Sequence, residues 1–149
     1  MMDLACRRVL CPKAAAWYRP LTDTVGMPHK QKFDTAESYY ATLFHELAHS
    51  TGHPSRVGRE GIENVNSFAS ESYSKEELVA EMSSAFLCGV SGISPAVIGQ
   101  SVAYLRSWIS RLKGDSRLLI SAASAAQKAS DFILGKHSPS SGTAEDDAQ

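Results

Sequence analysis

The sequence lacks long apolar runs, a charge imbalance and paired cysteines, and each absence excludes a class of protein. No apolar stretch is long enough to cross a bilayer, so we expect no membrane partner. Fifteen Lys and Arg residues against 16 Asp and Glu residues leave a formal net charge of −1, which gives no electrostatic case for a nucleic-acid-binding surface in this chain itself. Cys6, Cys11 and Cys88 form no C-x-x-C pair and leave an odd thiol, which predicts reduced thiols in a cytoplasmic protein.

The sequence contains enough apolar material for one folded domain. Its 149 residues are 43% apolar, and a chain of this length buries about 70% of its unfolded surface. Residues 1–13 have a weak pattern that fits the last turn of a helix or a disordered start, and Arg7 and Arg8 interrupt any signal-peptide-like run. We expect the folded domain over residues 14–135. Residues 136–149 are mostly polar and predict a disordered tail.

Hydrophobic patterning predicts an α+β fold that is mainly helical, with a small N-terminal β-ribbon. Short apolar runs at 14–18 and 24–27 flank the turn residues 20–23, as expected for two paired strands. Apolar residues at helical spacing then predict four helices. These helices span residues 35–51, 74–88, 95–113 and 116–134.

Local signals mark the ends of the first two predicted helices. Asp34 and Ser74 each begin a capping box, and Gly52 is placed to end the first helix in a left-handed conformation. The polar segment 54–73 is long for a connection, which predicts a functional loop over a cleft. We expect its charged side chains to be solvated.

The first predicted helix carries the pattern H-E-x-x-H, formed by His45, Glu46 and His49. Positions i and i+4 share one helix face, so the two imidazoles can hold one metal ion, and zinc suits such ligands. Glu46 lies just round the helix, where its carboxylate can take a proton from a metal-bound water. A charged surface turn is the alternative, but the apolar flanks predict a buried helix in which these polar side chains need partners.

Two histidines do not complete a catalytic zinc site, which usually has three protein ligands and one open position. A metzincin-like third histidine is excluded because Ser55 occupies the required position. His53 follows His49 by four residues, but the helix is expected to end before it. The other candidates are Glu77 and Glu81 of the second helix, which share a face at i, i+4. Spacing alone does not decide which of them binds metal and which accepts the outer N–H of a bound histidine.

Two stretches, H-E-L-A-H-S-T-G-H and E-L-V-A-E-M, resemble those of gluzincin metallopeptidases. More closely, the chain from Trp17 to Gly135 resembles the C-terminal metallopeptidase domain of ArdC-type antirestriction proteins, which conjugative plasmids and phages carry. The matching segments are S-Y-Y-A-T-L-F-H-E-L, T-G-H, E-E-L-V-A-E, A-Y-L-R-S-W and S-A-A-S-A-A-Q-K-A. They extend over about four-fifths of the chain, and the resemblance implies a zincin-like fold.

By this resemblance Glu77 is the third metal ligand, and Glu81 is the partner of a ligand histidine. The resemblance also implies that the edge of the N-terminal sheet pairs with an extended peptide. Full-length members of the family carry an N-terminal domain that binds single-stranded DNA, and this chain has no counterpart of it. We therefore expect DNA binding only through a missing or separate N-terminal domain.

These observations predict a zinc-dependent metallopeptidase that acts on a peptide or protein substrate. Zinc on the two histidines and Glu77 polarises the scissile carbonyl, and Glu46 takes a proton from the zinc-bound water and passes it to the leaving amine. Tyr73 and Arg56 are candidates for stabilising the oxyanion. The alternative is a non-catalytic zinc-binding interaction module that assists a single-stranded-DNA-binding antirestriction partner, although a structural zinc site needs no general base.

Overall fold

The computed structural model describes residues 8–10, 15–63, 71–93, 102–103, 106–107, 110 and 115–136. In these ranges the chain forms three short strands and then four α-helices. The strands are β1 (Arg8–Leu10), β2 (Trp17–Arg19) and β3 (Thr24–Gly26). The helices are α1 (Ala36–Thr51), α2 (Glu60–Glu63), α3 (Glu71–Val90) and α4 (Ser116–Ile133).

The three strands form one sheet in the order β1-β3-β2. β2 pairs antiparallel with β3, with Tyr18 opposite Val25, which confirms the predicted ribbon. β1 pairs parallel with β3, with Val9 opposite Val25. The interpretation of residues 1–13 as a helix end or disordered start is therefore wrong for Arg8–Leu10. A strand of three residues is too short to show an alternating pattern, and its partner is not the next strand in sequence.

The main core lies where the sheet meets α1, α3 and α4. Its buried side chains are Val25, Met27, Leu43, Leu47, Leu87 and Ile133. A second cluster joins α3 to α4 through Leu78, Val79, Ala122 and Ala126. α3 therefore packs between α1 and α4, and its buried stripe faces both helices.

Two buried serines on α3 bond to the backbones of the neighbouring helices. The Ser84 hydroxyl donates to the Ala41 carbonyl of α1 at 2.7 Å. The Ser83 hydroxyl lies 2.7 Å from the Val79 carbonyl of its own helix and 3.3 Å from the Ala126 carbonyl of α4. Because these side chains are small, the helices approach closely, and the hydroxyls are satisfied without water.

The structure corrects three of the predicted helix boundaries. α1 is capped by Thr35, whose side chain accepts from the Ser38 backbone N–H, rather than by Asp34. Gly52 ends α1 with φ −73°, so it is not left-handed. α3 begins at Glu71, which places Ser74 inside the helix instead of at its cap.

The other predicted elements fall partly outside the described residues. The fourth predicted helix is confirmed, because α4 covers Ser116–Ile133 and Asp115 caps it by accepting from the Arg117 backbone N–H. Of the predicted helix 95–113 only residues 102–103, 106–107 and 110 are described, and these are helical. The predicted tail beyond residue 136 lies outside the described residues. None of the helices in the described ranges has the length and hydropathy needed to span a lipid bilayer.

Candidate metal centre

α1 and α3 bring three metal-binding side chains together. His45 and His49 lie one turn apart on α1, with their Nε2 atoms 3.1 Å from each other. One carboxylate oxygen of Glu77, on α3, lies 3.6 Å from Nε2 of His45, and the other lies 3.4 Å from Nε2 of His49. The first part of α3 therefore lies directly beside the imidazole pair, as the sequence predicts.

The spacing of these atoms fits a single small cation. One ligand atom from each of the three side chains lies within 4.8 Å of the others, and no other such group occurs among the described residues. A four-coordinate metal with bonds of about 2.0–2.1 Å places neighbouring ligand atoms roughly 3.3 Å apart. The three separations bracket that value. Two imidazole nitrogens and one carboxylate are also the donor set of several catalytic zinc sites.

Each imidazole bonds to a second carboxylate through its outer nitrogen. Nδ1 of His45 lies 3.1 Å from Glu81, and Nδ1 of His49 lies 3.1 Å from Glu76. With Nδ1 donating to a carboxylate, Nε2 of each ring is the nitrogen that faces Glu77 and the shared metal position. Both rings are thus oriented with the nitrogen that would bind a metal ion directed at that position.

Glu76 is the residue of the site that the sequence interpretation missed. Glu81 lies beside His45, where the resemblance implies a histidine partner, but Glu76 has no role in the site predicted from the sequence. Its side chain is 4% exposed, and it contacts His49 on α1. A signal was present: two ligand histidines need two outer partners, and Glu76 is the carboxylate next to the proposed ligand Glu77.

Glu46 lies in the same buried environment. The residue is 9% exposed, and burial raises the pKa of its carboxyl group above the ordinary range. The neighbouring charges of His49 and His45 oppose that rise without cancelling it. A carboxylate with a raised pKa is a better proton acceptor near neutral pH, which suits a general base.

The carboxylates shift the pKa values of both histidines. Burial would lower the pKa of His49, but hydrogen bonds to Glu76 and Glu77 outweigh it and raise that pKa to about 10. The pKa of His45 is raised against burial by Glu77 and Glu81. Burial would raise the pKa of Glu77, yet its bonds to the histidines hold it well below the usual range. The site therefore favours positive charge, which protons or a metal cation can supply.

Arg59, from the segment between α1 and α3, bonds to Glu76. Its Nε and one terminal nitrogen donate to the two oxygens of the Glu76 carboxylate, each at 2.7 Å. The same guanidinium donates to the Thr51 hydroxyl and the Ala48 carbonyl of α1, also at 2.7 Å. The expectation that the charges of segment 54–73 are solvated is therefore wrong for Arg59, whose side chain is 10% exposed.

Arg56 is also buried, but its partners differ. Its two terminal nitrogens bond to the Asp23 carboxylate in the turn after β2, and its Nε donates to the Ser50 carbonyl at 2.7 Å. All three nitrogens of the guanidinium thus take part in joining the sheet to the end of α1. This contact set gives no support to the prediction that Arg56 stabilises an oxyanion.

The remaining candidates are placed as follows. Nδ1 of His53 lies 2.8 Å from the Ser55 hydroxyl, and among the described residues His53 is not part of the metal-binding group. Tyr73 lies within α3 and is half-buried. Its proposed contact with an oxyanion stays a prediction.

Comparisons with known proteins agree with this fold. A family model described as zincin-like metallopeptidase matches residues 5–125. The chain is 46% identical over 119 residues to a protein named DNA primase TraC from Escherichia coli. It is 36% identical over 123 residues to the uncharacterized protein y4eC from Sinorhizobium fredii (strain NBRC 101917 / NGR234). These matches cover 80% and 83% of this chain but only 11% and 39% of the relatives' length.

The chain is also similar to crystal structures of the antirestriction protein ArdC from plasmid R388. The Mn(II)-bound structure matches with a TM-score of 0.69 and 37% identity, over 91% of this chain and 49% of ArdC. The metal-free structure matches with a TM-score of 0.66 and 38% identity, over 87% of this chain and 46% of ArdC. The chain thus spans about half the length of ArdC.

Proposed function

The chain belongs to the zincin-like metallopeptidase family, and from that premise we propose that it is a zinc-dependent peptidase with Glu46 as its general base. The observation that carries the proposal is the convergence of His45, His49 and Glu77 beside the buried Glu46. A site that only held a metal for stability would need no general base beside its ligands.

The metal would be held by Nε2 of His45, Nε2 of His49 and the carboxylate of Glu77. When bound, a divalent cation supplies Lewis-acid chemistry, since it polarises a carbonyl group and makes a neighbouring water more acidic. We propose zinc because two imidazoles and one carboxylate are a donor set found in zinc peptidases. The similar ArdC structure is Mn(II)-bound, so zinc loading is a part of the proposal that a metal analysis must test.

The chain's own residues account for the proton transfers. Glu46 accepts a proton from the attacking water and donates it to the nitrogen of the leaving amine. Glu76 and Glu81 keep the imidazoles oriented during this step through their bonds to the two Nδ1 atoms. The substrate would be a peptide or protein, and an extended segment can pair with an exposed edge of the sheet.

The wider setting is also a proposal. The similarity to ArdC supports a role of this domain in an antirestriction protein of a mobile element. Single-stranded DNA would then be bound by another domain or by a separate chain. We place it in the cytoplasm because Cys88 is a buried free thiol on α3.

Replacement of Glu46 by Gln tests the enzymatic part. Glu46→Gln removes the proton acceptor but no proposed ligand, so bound zinc should be retained while cleavage of casein or of the chain itself falls by about 10²–10⁴-fold. Glu60→Gln, at an exposed position on α2, is the matched control and should change neither quantity. A zinc-loaded wild-type protein that cuts nothing in a broad peptide library would instead favour a non-catalytic module.

A further inference from the structure

The Arg59 guanidinium joins the helix that carries His49 to the carboxylate that His49 contacts. It donates to the Ala48 carbonyl, next to His49 in sequence, and to the Thr51 hydroxyl, three residues after Ala48. It also donates to both oxygens of Glu76. His49, Glu76 and Arg59 thus form a closed ring of contacts that returns to α1 beside His49.

This ring fixes the orientation of the Glu76 carboxylate. One of its oxygens accepts from Nδ1 of His49 and from Arg59, and the other accepts from Nε of Arg59. A carboxylate bonded by two parallel N–H groups is held in one plane, which a point charge does not achieve. Glu76 is therefore held in the plane of the guanidinium.

The backbone of Arg59 also lies close to the end of α1. Its N–H donates to the Gly52 carbonyl at 2.9 Å, directly after α1. A Cβ atom at Gly52 would lie 3.1 Å from the Arg59 guanidinium and 2.5 Å from Cγ1 of Ile62. The absence of a side chain at Gly52 therefore permits Arg59 to reach Glu76.

His45 is held differently. Its partner Glu81 makes salt bridges with His45 alone among the described residues. Glu76, in contrast, makes ion pairs with both His49 and Arg59. The carboxylate that contacts His49 is thus held by a second side chain, whereas in the described part of the chain the carboxylate that contacts His45 is not. Arg59 is that second side chain.

We propose that Arg59 is a positioning residue of the metal site. Arg59 holds the Glu76 carboxylate in the place where that carboxylate accepts from Nδ1 of His49, and Nε2 of His49 is thereby directed at the metal position. The inference rests on the metal site of the proposed function but does not require peptide hydrolysis. Arg59 touches neither the metal position nor the substrate, and it acts through Glu76.

Arg56 offers a matched control. Both arginines lie in the segment after α1, are about equally buried, bond to one carboxylate through two nitrogens and donate to a backbone carbonyl of α1. The carboxylate of Arg56 belongs to Asp23, which is not part of the metal-binding group. A general weakening of the segment should therefore follow from either substitution, whereas a loss of metal affinity should follow only from that of Arg59.

The test uses Arg59→Lys, which keeps the charge but loses the planar pair of donors, and Arg56→Lys. Zinc affinity is measured by competition with a chromogenic chelator, ligand geometry by the visible spectrum of the Co(II)-loaded protein, and stability by thermal unfolding of the metal-free protein. Arg59→Lys should weaken zinc binding by about 10–100-fold and change the Co(II) bands. Arg56→Lys should lower the melting temperature by a similar amount. It should leave the zinc affinity and the Co(II) spectrum at their wild-type values.

Glu76→Gln is an independent variant, and it tests the inference by itself if Arg59→Lys does not fold. It should weaken zinc binding as Arg59→Lys does, and the double variant should bind no more weakly than Glu76→Gln. Wild-type affinity in the Glu76 variant, equal losses for the two arginine variants or additive losses in the double variant would each overturn the inference. A protein that shows the expected affinities but cleaves no peptide would refute the proposed function and leave the role of Arg59 intact.

Discussion

At the scale of single residues, Glu76 and Glu77 are consecutive in sequence but contact different sides of the imidazoles. Glu77 faces the Nε2 atoms of both His45 and His49, where a cation would lie. Glu76 faces Nδ1 of His49 and the Arg59 guanidinium. One helix position therefore separates a proposed ligand from a residue that orients a ligand.

The ranking of the glutamates can be tested by metal binding. Glu77→Ala removes the carboxylate that faces both Nε2 atoms and should weaken metal affinity by more than about 100-fold. Glu81→Ala removes only the partner of His45 and should weaken it by about 10–100-fold. Equilibrium dialysis with zinc measures both values. If the Glu81 variant lost metal more readily than the Glu77 variant, the assignment would be wrong.

Whether the role of each residue could be predicted depends on how far away in the sequence its partners lie. His45, Glu46 and His49 are indicated by a five-residue pattern on one helix, and Glu77 and Glu81 by a four-residue spacing on another. Glu76 has the same local signals as any acidic residue near a helix start. Its role depends on Arg59, 17 residues earlier in the chain, which no periodic pattern indicates.

Gly52 is required for close approach rather than for an unusual backbone conformation. Gly52→Ala would place a Cβ 2.5 Å from Ile62 Cγ1, and relief of that overlap should lower the free energy of unfolding by about 1–3 kcal/mol in urea denaturation of the metal-free protein. Gly89→Ala is the control, because a Cβ added at Gly89 would have no atom within 4 Å. Helix propensity there favours alanine over glycine by about 0.5–1 kcal/mol. Equal effects of the two substitutions would contradict this explanation.

At the scale of secondary-structure elements, the start of α1 depends on Thr35. Thr35→Ala should destabilise the protein by about 0.5–2 kcal/mol, because the Ser38 backbone N–H loses its acceptor. Asp34→Ala, one residue earlier and exposed, should cost less than about 0.5 kcal/mol. Urea denaturation of both variants decides between the two residues, and the opposite order would restore Asp34 as the cap.

The existence of the helices was predictable, whereas some of their ends were not. α1 and α4 have clear apolar stripes, and their bounds agree with the prediction to within one residue. The start of α3 was placed three residues late, because Ser74 and Glu77 match a capping box although Glu71 already begins the helix. The Glu77 side chain faces α1 instead of folding back on its own helix, so a tertiary contact overrides the local motif.

At the scale of the whole molecule, the Asp23–Arg56 ion pair joins the sheet to the segment that follows α1. Burial would raise the pKa of Asp23, but bonds from Arg56 and Tyr18 hold it below its ordinary value. The pair therefore stabilises the fold above the unfolded-state pKa of about 3.9, and the contribution is lost as pH falls through the lower folded-state pKa.

Asp23→Asn measures that contribution. The difference in unfolding free energy between wild type and variant should be constant from neutral pH to about pH 5 and should shrink below about pH 4. Urea denaturation at a series of pH values measures it. A difference that persisted unchanged to pH 3 would show that packing around Asp23, not its charge, supplies the stability.

The overall architecture was predictable as a class but not as a complete topology. The alternation of short apolar runs with helical stripes indicated a small sheet beside helices, and β2, β3, α1, α3 and α4 follow it. The parallel pairing of Arg8–Leu10 with β3 was not indicated, because it joins segments separated by another strand of the same sheet. Such a pairing depends on tertiary packing rather than on local sequence.

Ser84 bonds to the Ala41 carbonyl one turn beyond Glu81, at a point where α3 lies against α1. The proposed ligands come from these two helices, so the width of the coordination cage depends on how near the helices lie. Zinc needs metal–nitrogen distances of about 2.0–2.1 Å, and ions of larger ionic radius need a wider cage. We therefore expect the volume of the Ser84 side chain, which bonds to none of the proposed ligands, to influence which ion the proposed centre prefers.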